Sequence, residues 1–555
     1  MLRCKFVNSL EKVFHDTDIT ALGELHRISA LKGERLSFQI AYDLDSPPKD
    51  TPRAKLEFTG ELAPYVTARG VNSVPILHPI NPLANDDNYL RKKPGLYPDV
   101  LVPLHYGSSV IPRDDSTSAV FVTAEIPKDA AAGESSLCAT VTYLDEVHTL
   151  LLTVDVIDAV MPDYPIYFTQ WFHADCLSSY YNVKPWSKRH WEIVENFARV
   201  AVKNGINLLL TPVFTPPLDT AVGGERPTVQ LVGITLEGGE YSFDFKLLDK
   251  WIRMCRRVGV KYLEIAHFFT QWGAEHAPKI MATVDGEYKR IFGWDTEATG
   301  EDYKRFLRAF IPALLSHLNS RGYDKTNCFF HVSDEPNVKQ LESYLAAKSI
   351  VAPLLEGYTI MDALSNYEFF EGGIVDLPIP ASNHIEPFLE GNVSPLWTYY
   401  CCGQCVGVSN RFIDMPSYRT RSIGYQMYKF DIRGFLHWGY NFYFNRYSCD
   451  LINPYCEHDG DEWVPAGDAF SVYPAPDGTA LESIRIITFA DALRDLAAMR
   501  LLENYMPKDE IVRALEEALG FEIRFDICAT SSEQMLRARE TVNNLIKKVI
   551  EGNEK

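Results

Sequence analysis

The sequence predicts three successive units: an antiparallel β-sandwich over residues 1–160, a (β/α)8 TIM-like barrel over 165–480 and a helical segment over 481–555. Three observations lead there. The chain has 555 residues, several times the roughly 100–200 that one hydrophobic core usually serves. Near residue 165 the spacing of its apolar residues changes character. Beyond that point short apolar runs alternate with amphipathic helices, and eight such runs can be counted.

In the first unit Leu36, Phe38, Ile40 and Tyr42 alternate with polar or small residues, as do Leu137, Ala139, Val141 and Tyr143. A period of two means one sheet face is buried. Turn-rich breaks such as Ser46-Pro-Pro-Lys-Asp50 and Lys128-Asp-Ala-Ala-Ala-Gly133 separate these runs, which favours a sandwich. Met161-Pro-Asp-Tyr-Pro165 reads as a linker. In the second unit the strands are read at Ile166–Phe172, Asn207–Phe214, Tyr262–Phe269, Cys328–Ser333, Tyr358–Leu364, Val375–Ala381, Leu396–Cys401 and Gly434–Phe442. Helices such as Lys188–Asn204, closed by Gly205, lie between them. In the third unit Ile511, Leu515 and Leu519 form one helical stripe, and Met535, Ala538, Val542, Leu545 and Val549 another.

Composition removes several function classes. The balance of 74 acidic against 54 basic residues, a formal charge of −20, repels phosphate backbones, so nucleic acid is not an expected partner. No run reaches the roughly 18 apolar residues of a membrane span, and the first twelve residues lack the form of a secretory signal, which gives an expectation of a cytoplasmic protein without a membrane partner. The eleven cysteines follow no disulfide or zinc spacing, and no metal or cofactor is expected. The oligomeric state is left open.

A barrel places its chemistry at the C-terminal strand ends. Those ends carry Trp171, His173 and Asp175 after the first strand, and His267, Gln271 and Trp272 after the third. The fourth brings His331, Asp334 and Glu335, the seventh Trp397 and Tyr399, and the eighth Trp438, Tyr440 and Asn441. Aromatic faces among a few carboxyls and amides suit a sugar, whose ring C–H groups pack on apolar faces while its hydroxyls need partners. Taken alone, Asp334-Glu335-Pro336 also fits a helix N-terminus, and Trp171 and Trp272 also fit ordinary rim packing. Position at the end of the apolar strand Cys-Phe-Phe-His-Val favours chemistry.

Adjacent residues on an extended strand point apart, so Asp334 and Glu335 do not suit an acid and a nucleophile flanking one glycosidic bond. One acid and one helper fits better. A 2-acetamido sugar supplies its own nucleophile, the amide oxygen. Glu335 would then give the proton, while Asp334 holds the acetamido N–H. The expected partner is thus an oligosaccharide or glycoconjugate fragment carrying a 2-acetamido sugar. Rival readings are a conventional glycosidase with Glu264 or Asp362 as second carboxylate, a metal hydrolase using His173, Asp175, His267, His331 and Asp334, and a non-catalytic carbohydrate-binding barrel.

Five segments, Ser333-Asp334-Glu335-Pro336, Phe172-His173-Ala174-Asp175, Phe269-Thr-Gln-Trp-Gly-Ala274, Phe435-Leu-His-Trp-Gly-Tyr-Asn-Phe-Tyr443 and Tyr473-Pro-Ala-Pro-Asp-Gly478, resemble glycoside hydrolase family 123 and the related uncharacterised proteins that share its catalytic domain. The similarity runs from about Pro165 to the helices after Leu481. It implies β-N-acetylgalactosaminidase chemistry by the substrate-assisted route, carried over to Asp334 and Glu335. A tyrosine bonding the acetamido oxygen is expected with it, and Tyr399, Tyr400 or Tyr440 could serve.

Overall fold

The computed structural model describes residues 1–47, 52–80, 85–104, 108–164, 166–336 and 338–553; the turn residues 48–50 and the linker residue Pro165 lie outside them. The alternating N-terminal segments build two five-stranded sheets. Strands Leu2–Asn8, Arg35–Leu44, Ser118–Glu125, Val66–Ile76 and Gly95–Pro103 form one, in that spatial order. The other runs Arg27–Lys32, Glu146–Val160, Gly133–Tyr143, Ala54–Gly60 and Ser109–Val110. Phe38, Ile40, Val120 and Val122 from the first and Leu137, Ala139, Val141, Leu152 and Val154 from the second share one buried core. That is the consequence of period two: every other side chain meets the facing sheet.

One pairing departs from the all-antiparallel expectation. Arg27–Lys32 runs parallel to Glu146–Val160, with Ile28 opposite Val154. No hairpin joins these two segments, so no tight turn fixes their relative direction. Strand Arg35–Leu44 is buried along its whole length. Its second face meets the rest of the chain, where an Arg35 Nη2 donates to Asn204 Oδ1 at 3.2 Å.

A strand lies inside each of the eight segments read from the central sequence, all of them in parallel pairs. Trp397–Tyr399, Gly434–His437 and Tyr167–Gln170 form one sheet. Leu208–Thr211, Tyr262–Ile265, Cys328–Phe330, Thr359–Ala363 and Leu377–Ile379 form the other. Hydrogen bonds join the two sheets at both edges, from Asn207 N to Phe168 O at 3.1 Å and from Tyr399 N to Pro380 O at 3.2 Å. The ladders are shorter than the apolar runs because the loops that follow are themselves buried, as at Trp171, Phe172, Phe268 and Phe269.

The chain between the second and fourth strands contains more than helix. Gly233–Glu237, Glu240–Asp244, Ile280–Val284 and Glu287–Phe292 make a separate four-stranded sheet of two hairpins. Their turns are Gly238-Gly239 and Asp285-Gly286, all four at positive φ, the geometry that two-residue hairpin turns demand.

C-terminal helices span Ile484–Leu502, Lys508–Leu519 and Ser532–Asn553. The first of them is almost wholly buried, and its Arg485 forms a bidentate pair with Asp99 of the N-terminal sheets, both contacts at 2.9 Å. Tyr473 Oη donates to the same carboxylate at 2.6 Å. Although burial opposes ionisation, these partners hold Asp99 below the usual carboxylate range. Among the described residues no helix is long and apolar enough to cross a membrane.

Candidate functional site

Beyond strand Cys328–Phe330 the chain leaves the ladder through His331, Val332 and Ser333, all buried. Ser333 Oγ donates to Thr270 O at 2.8 Å, and Trp272 N donates to Asp334 O at 3.1 Å, so two successive strand-end loops brace each other. Glu335 then takes φ +43°, a left-handed conformation that costs a non-glycine residue on the order of 1–2 kcal/mol. Leaving the extended geometry brings both carboxyls of the pair to one pocket.

That pocket has a volume of about 150 Å³. Trp171, Trp272, Trp438 and Trp463 supply its aromatic surface, with Ala363, Leu436 and Val464 between them. Tyr399, Cys401, Cys402 and a third carboxyl, Asp219, complete it. Tyr399 Oη donates to Glu335 Oε1 at 2.7 Å. Trp272 is 41% exposed at the opening, whereas Trp171 is buried. Trp438 Nε1 donates to Asp468 Oδ2 at 2.8 Å, which fixes the plane of that ring.

Burial, then the neighbouring charges of Glu335 and Asp219, push the Asp334 carboxyl well above its ordinary range. Glu335 is reached by solvent at the opening. The surrounding protein nevertheless raises its pKa, with the Tyr399 hydrogen bond acting in the opposite direction. Burial pushes Asp219 up to about 7, with Arg226 opposing and Glu335 adding to it. Three carboxyls in one cleft cannot all ionise, so the site retains protons near neutral pH. A proton donor beside an anionic or hydrogen-bonding helper is what such a cleft can offer a glycosidic bond.

The other residues singled out in the sequence sit behind the pocket. His331 Nε2 lies 2.7 Å from Glu264 Oε1 and its Nδ1 lies 3.3 Å from Asp362 Oδ1. Burial opposes the imidazolium, but these bonds prevail and raise His331 to about 9. Glu264 Oε1 also accepts from Trp171 Nε1 at 2.7 Å, and Tyr344 Oη donates to Asp362. Glu264 and Asp362 are therefore spent in a buried polar layer beneath Trp171. His267 stacks on His331 at 4.2 Å, and burial holds it well below its ordinary pKa.

Trp397 lies two residues before Tyr399 on the same strand face, one layer deeper, stacked on Tyr167 at 5.2 Å. Tyr440 Oη donates to Phe197 O at 2.8 Å, away from the pocket, and Tyr400 is buried against Phe435. Asn441 bonds the backbone of His173, accepting from its N at 2.9 Å and donating to its O at 3.1 Å. His173 Nδ1, Asp175 and Cys176 gather around the guanidinium of Arg226, with Nη2 2.9 Å from Asp175 Oδ1 and 3.1 Å from His173 Nδ1. Among the described residues this trio is the group whose ligand atoms come close enough for a metal ion, and the Arg226 cation already fills that place. Gln271 Oε1 accepts from Asp219 N.

Asp219, Cys401, Cys402, Trp463 and Arg226 were not foreseen. A signal existed for Asp219, since it follows the second strand end, which like the fifth and sixth supplied no candidate site residue. Trp463 lies in the long loop after the eighth strand and has no local signal.

The catalytic-domain description of glycoside hydrolase family 123 matches residues 171–502, which is more than half of the chain. No curated protein matches the sequence. Among solved structures, a family 123 glycoside hydrolase from Clostridium perfringens, described for its hydrolysis of glycolipid glycans, is 15% identical with a TM-score of 0.75 and covers 100% of both chains. Parabacteroides merdae β-glucuronidase is 9% identical with a TM-score of 0.30, over 89% of this chain and 51% of the enzyme. A β-galactosidase-like protein of Bacteroides fragilis is 10% identical with a TM-score of 0.28, over 88% of this chain and 60% of its own.

Proposed function

The chain belongs to glycoside hydrolase family 123, and from that premise we propose that it removes a terminal β-linked 2-acetamido sugar, of the N-acetylgalactosamine type, with retention and with the substrate's own amide as nucleophile. We read the eight parallel strands as a closed (β/α)8 barrel with the pocket at its C-terminal mouth. The glycan of a glycolipid, on which the Clostridium relative acts, is a fitting source of the sugar.

The observation that carries the reading is the adjacent pair Asp334 and Glu335 in one tryptophan-walled pocket, while Glu264 and Asp362 are bonded into the layer below. Glu335 gives its proton to the glycosidic oxygen as the acetamido oxygen closes on the anomeric carbon. The C–O bond to the leaving group breaks. With the proton of the pair on Glu335, Asp334 is the carboxylate that accepts from the acetamido N–H and steadies the positive charge of the resulting oxazolinium ion. Glu335, now a carboxylate, takes a proton from the water that opens that ion and restores the configuration.

The test compares wild type with Glu335→Gln on an aryl β-N-acetylgalactosaminide, its glucosamine epimer and the matching sugar without the 2-acetamido group. Turnover should fall by roughly 10²–10⁴ in the variant, and the unsubstituted sugar should not react. Equal turnover with and without the acetamido group would remove the substrate-assisted route. Equal activity of both proteins would remove Glu335 as the acid.

A further inference from the structure

The pocket has an unusual charge composition. Asp219, Asp334 and Glu335 line it, and among the described residues of its lining none is Arg, Lys or His. Asp468 adds a fourth carboxyl immediately behind Trp438. Arg226 is near enough to Asp219 to oppose the rise of its pKa, but its guanidinium is paired with Asp175 and it does not line the pocket.

The position of Asp219 is built. Its backbone sits at φ +46°, a left-handed conformation that needs support in a residue other than glycine. Arg226 Nη1 donates to the preceding carbonyl, Leu218 O, at 2.9 Å. Asp219 N donates to Gln271 Oε1, and Ser448 Oγ donates to Asp219 O at 2.6 Å. Loops following the first, third and eighth strands thus converge to hold one residue, through Asp175, Gln271 and Ser448. The residues His173, Asp175, Gln271 and Asn441, which the sequence marked as sugar contacts, are the scaffold of this hold.

We infer that the pocket selects a sugar ring free of anionic substituents, and that Asp219 is the specificity-determining residue that excludes sulfated, phosphorylated and uronic-acid sugars. This rests on the pocket being the 2-acetamido sugar site proposed above. An anionic substituent entering a cleft of about 150 Å³ meets carboxyls and no counter-charge. Whichever of these carboxyls is ionised repels the incoming charge in a partly desolvated cleft, and the anion in turn disfavours ionisation of the others. Carboxyls that share protons both donate and accept hydrogen bonds, which matches sugar hydroxyls rather than an ammonium group.

The experiment measures binding of N-acetylgalactosamine and its 4- and 6-sulfates by calorimetry, and kcat/KM on the corresponding aryl glycosides, for wild type and Asp219→Asn. Asn tolerates the left-handed backbone, so the variant keeps its fold. At pH 8, where Asp219 with a pKa of about 7 is mostly ionised, wild type should bind the neutral sugar in preference by about a hundredfold, and Asp219→Asn should narrow that ratio at least about tenfold. Should Asp219→Asn fail to fold, Asp219→Gly, which takes the left-handed backbone without strain, replaces it. Binding or turnover of neutral and sulfated sugars within about threefold in wild type overturns the inference. An unchanged ratio in the variant overturns the role of Asp219. So does loss of all turnover restored by azide, the signature of a missing nucleophile. Preferential binding of the neutral sugar without turnover keeps the inference and removes the hydrolytic reading; binding of neither sugar removes the inference.

Discussion

Replacing Tyr399 by Phe removes one hydroxyl and leaves the ring in place. That hydroxyl donates to Glu335 Oε1 at 2.7 Å, and a donor stabilises the carboxylate form of its acceptor. Losing it must raise the Glu335 pKa further above its ordinary value, the direction burial already imposes. A hydrogen bond to a charged group is worth about 1.5–3 kcal/mol, and one pKa unit corresponds to about 1.4 kcal/mol, which gives about 1–2 units. Solvent reaches Glu335, and water replacing the lost donor brings the expectation to about one unit. The acid form then persists to higher pH, so the alkaline limb of kcat/KM against pH moves upward. The assay is that profile on an aryl β-N-acetylgalactosaminide, with Tyr400→Phe as a control whose hydroxyl lies outside the pocket. An unmoved limb, or one moved downward, refutes the reasoning. A pH-independent fall in kcat beside the shift would show that Tyr399 also holds the acetamido oxygen.

Two further outcomes concern stability. Arg226→Leu leaves the fully buried Asp175 carboxylate without its partner and should lower unfolding stability by about 3–5 kcal/mol in urea titration, while raising KM because Leu218 and Asp219 lose their anchor. A change under about 1 kcal/mol would mean that the pair is solvated in the native protein. Gly434→Ala would place a Cβ 2.1 Å from the Trp397 ring, and the indole, stacked on Tyr167 and packed on Phe329, has no room to retreat. Loss of about 3 kcal/mol or more is expected from thermal melts, with partial recovery when Trp397→Leu is added.

Much of the site was legible before folding. Trp171, Trp272, Asp334, Glu335, Tyr399 and Trp438 all line the pocket, because each follows an apolar run at a strand end. His331, Glu264 and Trp397 share the inward direction but not the depth. Alternation tells which face a residue takes, whereas depth depends on how far each strand is slid along its neighbours. The two hairpins were also legible in principle, through Glu237-Gly-Gly-Glu240 and Asp285-Gly286, but their strands are too polar to stand out against the apolar runs around them.

The sequence by itself determined what local chemistry can determine: two sheets from period two, eight apolar strands, a helical C-terminal segment, and a carboxyl pair at the end of the fourth strand. Only the tertiary structure decided which carboxyls share the pocket. Asp219 lies more than a hundred residues before Glu335 and reaches it through a loop pinned by Arg226, while Glu264 and Asp362 turn to His331 instead. Burial and like-charge repulsion act through distance in space. No spacing along the chain encodes that distance.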